Sequence, residues 1–439
     1  MLMEINEKRL PLIQNAVFRH YAEIYVNIYR RFFEHIENHG IRVAQERCAD
    51  PGQKCQALAA KGAYVENEGK SVYTQWLSPA CKACRRSSGS VSFFISLMCP
   101  RHCYYCFNPN QENYAFYSRN QRNCVRELDQ IYQSGQQISH LALTGGEPLL
   151  HKAEAVEFLH YAKQKFPGIH TRMYTAGELI DEKTLRALHQ AGLNEIRFSI
   201  KLEDSREGQE TIYDKIIAAK SYIPDVMVEM PVIPGTFAAM KELLIRLDQM
   251  EVRGINLLEF CFPYQNHAEF NKRSLQIKNP PYQVLYDYWY AGGLPVFRSE
   301  EEGLALVEFA LEQRLNLGVH YCSLENKHTG QVYQQNYQQA VSARHYFSPK
   351  DYFFKTAKVF GPDIPAVLAA FKKSKVSLYE YNQDYDFLEF HIKEIGQLKK
   401  LQVEVGVSYQ IMEHREEGNY LRELKIALVD WDTFDSTQL

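Results

Sequence analysis

The chain has 439 residues, 45% of them hydrophobic and 23% charged, with a net charge of −3. That length accommodates more than one domain and a sizeable core, and the near-balanced charge excludes a strong pull toward nucleic acid or an anionic membrane. No apolar run approaches the roughly 20 residues of a transmembrane helix. The first residues, MLMEINEKRL, lack the charged-then-apolar pattern of a signal peptide, so the expected location is the cytoplasm. In a reducing compartment clustered cysteines serve as metal ligands or redox groups more often than as disulfides. Seven of the ten cysteines lie between Cys48 and Cys106, which is where such chemistry is expected.

In chain order, residues 10–39 read as a helix, because Val17, Tyr21, Ile24, Ile28 and Phe32 recur at three- and four-residue steps and Gly40 is a natural stop. Its apolar content on most faces predicts packing against the main domain. Residues 41–89 read as an irregular segment, organised by ligands or by packing onto a neighbour. It contains Cys48, Cys55, Cys81 and Cys84, with Gly, Pro and Ser between them. The polar run Arg85–Ser90 predicts a turn.

A strand–helix alternation begins at residue 90. Strands are expected at Val91–Leu97, Ile138–Thr144, Ile169–Thr175, Glu195–Lys201, Val226–Ile233 and Gly254–Phe260. Helices are expected between them, over Ser118–Ser134, 152–166, Asp181–Ala191, 208–221 and 236–250. Such alternation argues a parallel sheet with covering helices, rolled in one direction by right-handed crossovers. The expected fold is α/β, an open (β/α)6 barrel, with a complete eight-stranded barrel as the alternative. In either, ligand groups gather at the carboxyl ends of the strands. A long aromatic and Pro-rich connection follows over 262–299, then a helix over 300–316. Gly318–Ser323 reads as a seventh strand or an edge strand. The texture from about Ser342 predicts a small α+β domain, with strand-like runs at Val403–Tyr409 and Lys425–Val429. The expected division is 1–89 (helix and cysteine-rich segment), 90–325 (barrel) and 326–439 (C-terminal domain).

The stretch Cys99-Pro-Arg-His-Cys103-Tyr-Tyr-Cys106 follows the first strand directly. Its spacing, C-x3-C-x2-C, puts three thiols in one loop. A cubane [4Fe–4S] cluster normally takes four thiolates, so three would leave one iron open to a small chelating molecule. A zinc site is the plainer reading, but it wants a fourth ligand nearby, for which His102 is the candidate. Gly145-Gly146-Glu147-Pro148 closes the second strand. Glycines let the backbone approach a ligand, Glu147 is an acceptor for N–H donors, and Pro148 fixes the turn.

These two motifs in this order resemble the radical SAM superfamily. The resemblance implies a partial (β/α)6 barrel and a [4Fe–4S] cluster held by Cys99, Cys103 and Cys106. It implies S-adenosylmethionine (SAM) on the open iron through its amino nitrogen and carboxylate. It further implies that the backbone at Tyr105 contacts the adenine, and that the turn Gly145–Pro148, with Glu147, receives the amino group. Ribose and carboxylate partners in the superfamily lie at the ends of later strands, which makes Thr175, Arg197, Ser199, Lys201 and Glu229 candidates. Arg197, Ser199 and Lys201 share one face of an extended strand, and the alternative is that they pair with neighbouring strands. Val232–Gly235, Asn256 and Glu259 are weaker candidates.

More specifically, Ala80-Cys-Lys-Ala-Cys-Arg85, Thr144–Leu150, Met173–Thr175, Ala191–Phe198, Glu229–Gly235 and His320–Ser323 are similar to a group labelled as related to pyruvate-formate-lyase-activating enzymes. The likeness covers residues 80–325. It implies an oxygen-sensitive enzyme with an external one-electron donor of flavodoxin or ferredoxin type, and it favours a protein or peptide substrate. Chemistry on a small metabolite and a non-catalytic zinc or iron–sulfur protein remain alternatives. No nucleic-acid or membrane partner is expected. No second cysteine cluster follows the barrel, and the N-terminal region is too short for a cobalamin-binding domain.

Cys48, Cys55, Cys81 and Cys84 together form a candidate four-cysteine site for zinc, a single iron or an auxiliary iron–sulfur cluster. The alternative is that only Cys81 and Cys84 lie close together. Cys261 and Cys322 follow strand-like segments and are candidate hydrogen-atom donors, although a buried free cysteine is commonly inert. Cys124 is expected in the core.

Overall fold

The computed structural model describes residues 2–86, 89–263, 266–281, 293–415 and 417–435. The turn expected at 85–90 and the connection expected over 262–299 fall in part outside the described residues. The chain divides into two units, one holding the described residues from 41 to 330 and the other joining 2–40 to 331–435.

The first unit is built on seven parallel strands: β1 (Ser90–Phe94), β2 (His140–Thr144), β3 (His170–Thr175), β4 (Glu195–Phe198), β5 (Asp225–Val232), β6 (Gly254–Glu259) and β7 (Gly318–Cys322). They lie side by side in chain order. The six expected strands are β1–β6, and Gly318–Ser323, left open between a seventh and an edge strand, pairs parallel with β6. Side chains alternate across the strands. Met173, Ile196, Val228 and Ile255 face the helices and join Phe158, Leu188, Ile216 and Leu244 in one buried core. Each such side chain contributes about 1.5–3 kcal/mol by leaving water. The opposite face, which lines the barrel, carries Arg172, Arg197, Glu229, Asn256 and His320.

Three expectations change here. Segment 41–89 is regular: a helix Gly52–Ala60, an antiparallel hairpin of Tyr64–Glu66 and Ser71–Tyr73, and a helix Pro79–Arg86. The hairpin pairs antiparallel with β7 and extends the sheet. Trp76 then closes over the starts of β6 and β7. A Cβ on Gly254 would lie 3.0 Å from its ring and one on Gly318 2.6 Å from its carbonyl, so only glycine fits. The helix expected over Ser118–Ser134 is confined to Cys124–Gln133, where the Asn123 side chain accepts from the Arg126 N–H and sets its start. The fourth strand ends at Phe198, short of the expected Lys201, so Ser199 and Lys201 leave the strand and its alternation.

The second unit is an α+β structure. Strands Leu2–Glu4, Gly418–Val429, Gly406–Arg415, Phe354–Phe360, Phe387–Phe390 and Tyr379–Asn382 form an antiparallel sheet in that spatial order. The N-terminal helix is Ala16–Asn38, and its apolar face packs on this sheet. Phe18 stacks on Phe360 with ring centroids 4.5 Å apart. Residues 2–40 therefore belong with the C-terminal sheet, which divides the expected 1–89 segment. Among the described residues no helix is long and apolar enough to cross a membrane.

Candidate functional site

The C-terminal ends of β1 and β2 are tied together beyond their last strand residues. The Gly146 N–H donates to the Ser96 carbonyl at 3.1 Å and the Glu147 N–H to the Met98 carbonyl at 2.8 Å. The Gly145 carbonyl accepts from Asn108 Nδ2 at 2.6 Å. The turn lies so close to the chain entering the cysteine loop that a Cβ on Gly146 would sit 1.8 Å from the Met98 carbonyl oxygen. Gly145, at φ +99°, adopts backbone that favours glycine. The motif after β2 thus fixes the entry to Cys99, the residue after Met98.

Cys99, Cys103 and Cys106 are half-buried and close enough to interact electrostatically. Burial pushes the Cys99 and Cys106 thiols up. Backbone N–H groups of Arg101 and Asn108 and the Lys201 ammonium favour their thiolates. Among the described residues no three His, Cys, Asp or Glu side chains converge on a point the size of one ion. A cubane does not ask for that, since each thiolate binds a different iron. Three thiols on one loop, with N–H groups and a cation aimed at them, fit a [4Fe–4S] cluster better than a single zinc.

Tyr105 has its ring against Tyr104, Phe260 and the Lys201 ammonium, the last 5.3 Å from its centroid. Lys201 also donates to Ser199 Oγ at 2.8 Å, so these two residues, though past the strand, stay beside the cysteine loop. Glu147 is 3% exposed. Its oxygens accept from the Leu149 N–H, Thr175 Oγ1 at 2.9 Å and the Ala176 N–H at 2.7 Å. A carboxylate offers about four acceptor positions, so one remains for a ligand amino group. Burial raises its carboxyl pKa, and these three donors pull against that. Thr175 donates to Glu147 and accepts from the Gly177 N–H, which commits its hydroxyl to the protein. Pro148 opens the short helical turn after the motif.

Arg197 and Glu229 are joined inside the barrel. Arg197 donates from Nε to Glu195 at 2.6 Å, from Nη1 to Glu229, and from Nη2 to Ser78 Oγ at 3.1 Å and Cys81 Sγ at 3.3 Å. Asn256 Nδ2 donates to Glu229 at 2.7 Å. This is the pairing with neighbouring strands that was the alternative for Arg197. Burial would raise the Glu195 and Glu229 carboxyls, but the Arg197 guanidinium holds both below the usual range. Glu259 is committed to Lys278 and to the Leu324 N–H.

Among the described residues, no three of Cys48, Cys55, Cys81 and Cys84 come together at one point. Cys55, on the helix Gly52–Ala60, turns its thiol to the Gly69 carbonyl. Cys81 points into the barrel against Arg197. Cys48 holds Asn279 through its backbone. Cys261 and Cys322 are buried, which pushes each thiol up to about 12. Cys124 is in the core as expected. The sequence reading missed Arg101, whose Nη1 and Nη2 donate to the two oxygens of Asp204 at 2.7 Å each, with Glu178 2.6 Å from Nη2. The signal was a charged residue inside the cysteine loop; its partners left none. A cavity of about 660 Å³ opens elsewhere, lined by residues such as Arg122, Arg126, Asp129 and Glu157.

A family model described as the radical SAM superfamily matches residues 94–247. A protein of Methanocaldococcus jannaschii, provisionally named a glycyl-radical enzyme activating enzyme, is 29% identical over 254 residues, 56% of this chain and 63% of that protein. A PqqA peptide cyclase of Granulibacter bethesdensis is 28% identical over 103 residues, 24% of this chain and 26% of its own. The chain therefore spans less than two thirds of the length of these relatives. Among solved structures, Streptococcus suis SuiB bound to S-adenosylmethionine aligns with a TM-score of 0.40 at 13% identity, covering 55% of this chain and 52% of that one.

Proposed function

From a chain that belongs to the radical SAM superfamily, and is an enzyme of it, we propose reductive cleavage of SAM for hydrogen abstraction from a polypeptide substrate. The observation that carries the reading is the pairing of the Gly145–Pro148 turn with the backbone entering Cys99, which builds one site from the ends of β1 and β2. When bound, a [4Fe–4S] cluster and SAM supply one-electron cleavage to methionine and a 5′-deoxyadenosyl radical that removes a hydrogen atom from substrate.

The chain's own part is binding and positioning. Cys99, Cys103 and Cys106 hold the cluster, and Lys201 places positive charge beside Cys99 and Cys106, where thiolates and a SAM carboxylate gather negative charge. The Glu147 oxygen with a free acceptor position, and carbonyls of the turn, take the SAM amino group. Thr175 orients Glu147. The packed aromatics Tyr104, Tyr105, Phe260 and Phe270 exclude water at the mouth. An external donor of flavodoxin or ferredoxin type delivers the electron.

The polypeptide substrate is supported by the names of two relatives, a glycyl-radical enzyme activating enzyme and a peptide cyclase. Anaerobic protein with SAM, reductant and carbon-deuterated polypeptide fractions tests it by deuterium transfer into 5′-deoxyadenosine. Transfer from polypeptides is expected. Transfer only from deuterated small metabolites refutes the substrate class.

A further inference from the structure

We infer that Arg101, gripped by Asp204 and Glu178, is a positioning residue that sets the cysteine loop against the loops after β3 and β4 for SAM binding. This rests on the function proposed above. Between Phe94 and Asn108 the chain has no helix or strand. Its entry is held by the hydrogen bonds to the Gly145–Pro148 turn, but these end at Met98. Within the loop, the Cys106 N–H reaches the Cys103 carbonyl at 3.0 Å. Asn266 Nδ2 donates to the carbonyls of Tyr104 at 2.9 Å and Cys106 at 3.3 Å, anchoring the far end. Between these anchors lie Cys99 to Cys103, and the cross-barrel tie there is Arg101.

The partners make the tie informative. Asp204 lies in the loop after β4, where its N–H donates to the Lys201 carbonyl at 3.1 Å. Glu178 lies in the loop after β3, two residues past Ala176, whose N–H binds Glu147. One guanidinium therefore connects the cysteine loop to the segment carrying Lys201 and to the segment that orients Glu147. The side chains of Arg101, Glu178 and Asp204 are 24%, 36% and 18% exposed, so the pairs are partly shielded from water. Two parallel N–H···O bonds to Asp204 fix direction as well as distance, which a lysine ammonium cannot reproduce. One cation facing two carboxylates leaves excess negative charge, so neutralising charge alone does not account for the arrangement.

The test compares Arg101→Gln, Arg101→Lys and Asp204→Asn with the unaltered protein, each loaded with iron and sulfide anaerobically and matched for iron content. Arg101→Gln and Asp204→Asn are expected to raise KM for SAM roughly tenfold or more, with kcat for 5′-deoxyadenosine changed less than about threefold. Arg101→Lys falls between, and the Gln/Asn double variant is no worse than either single one, because both break the same contact. In cluster-free protein, iodoacetamide is expected to modify Cys103 faster by about threefold or more in Arg101→Gln, which reads loop order without SAM chemistry. A KM within about twofold of the unaltered protein overturns the inference, as does loss of iron with a normal KM in the protein that stays loaded. If the unaltered protein makes no 5′-deoxyadenosine, it is the proposed function that fails. The alkylation rate then decides the clamp alone, and an unchanged rate overturns it.

Discussion

Replacing Gly146 by Ala tests how tightly the turn after β2 is fitted to the cysteine loop. The added Cβ would lie 1.8 Å from the Met98 carbonyl oxygen, 2.6 Å from its carbon and 2.7 Å from the Leu97 carbon. A comfortable carbon–oxygen contact is about 3.3 Å, so one backbone segment must retreat by about 1.5 Å. Neither neighbour is the end of a flexible side chain, and the retreat breaks the 2.8 Å bond from the Glu147 N–H to Met98. Overpacking of this kind costs about 1–3 kcal/mol in stability. Its larger effect is on chemistry, since Cys99 follows Met98 and a misplacement of about 1 Å costs roughly a hundredfold in rate. The assay is 5′-deoxyadenosine formation by anaerobically loaded protein, with the SAM-induced change in the reduced cluster's electron paramagnetic resonance spectrum as a second readout. Gly396→Ala, where a Cβ meets nothing within 4 Å, is the control. Gly146→Ala activity within about threefold of the control would refute the reasoning.

Arg197→Met leaves Glu195 and Glu229 buried without their guanidinium and is expected to lower unfolding stability by about 3–5 kcal/mol in urea titrations; a loss under about 1 kcal/mol contradicts the pairing. His320 is buried, with Arg197 nearby, and its pKa is lowered from 6.5 to about 3. The unfolded chain therefore binds a proton below pH ~6.5 that the folded chain refuses, so stability falls as pH drops from that point toward ~3. Between pH 7 and 5 the contribution is about 2 kcal/mol. His320→Gln should flatten the stability–pH curve by that amount, and an unchanged slope sinks the assignment. Tyr174 and Arg172 flank the same interior, and His140, lowered to about 4 by burial and by His170, tilts the curve in the same direction. The comparison is therefore of slopes between variant and parent.

The strands were readable because each is a short apolar or β-branched run ended by Gly, Pro or a polar turn, as in His140–Thr144 before Gly145. Gly318–Cys322 was ambiguous because its alternating His320 and Cys322 face the barrel interior, a polar environment the sequence does not announce. Segment 41–89 was misread since Tyr64–Glu66 and Ser71–Tyr73 are three-residue strands whose stability comes from β7, a partner far along the chain. Cysteine spacing was informative at Cys99–Cys106, where strand and turn give it context. It says less at Cys48–Cys84, where a thiol packed on Gly69 or Arg197 has the same spacing as a ligand. The N-terminal helix was found, but its partner was not, because an apolar face does not say which sheet will cover it. Arg197 and Glu229 stand out in the sequence as polar residues on strands. That they satisfy each other depends on register between β4 and β5, which no local pattern encodes.

The most direct measurement is 5′-deoxyadenosine formed from SAM under anaerobic reduction by protein loaded with iron and sulfide, with Cys99→Ala, Cys103→Ala and Cys106→Ala variants beside it. The expected result is formation by the unaltered chain and loss of at least about a hundredfold in each variant, with the visible absorbance of the cluster lost in parallel. Formation of 5′-deoxyadenosine that persists without these three cysteines would contradict the site assigned here.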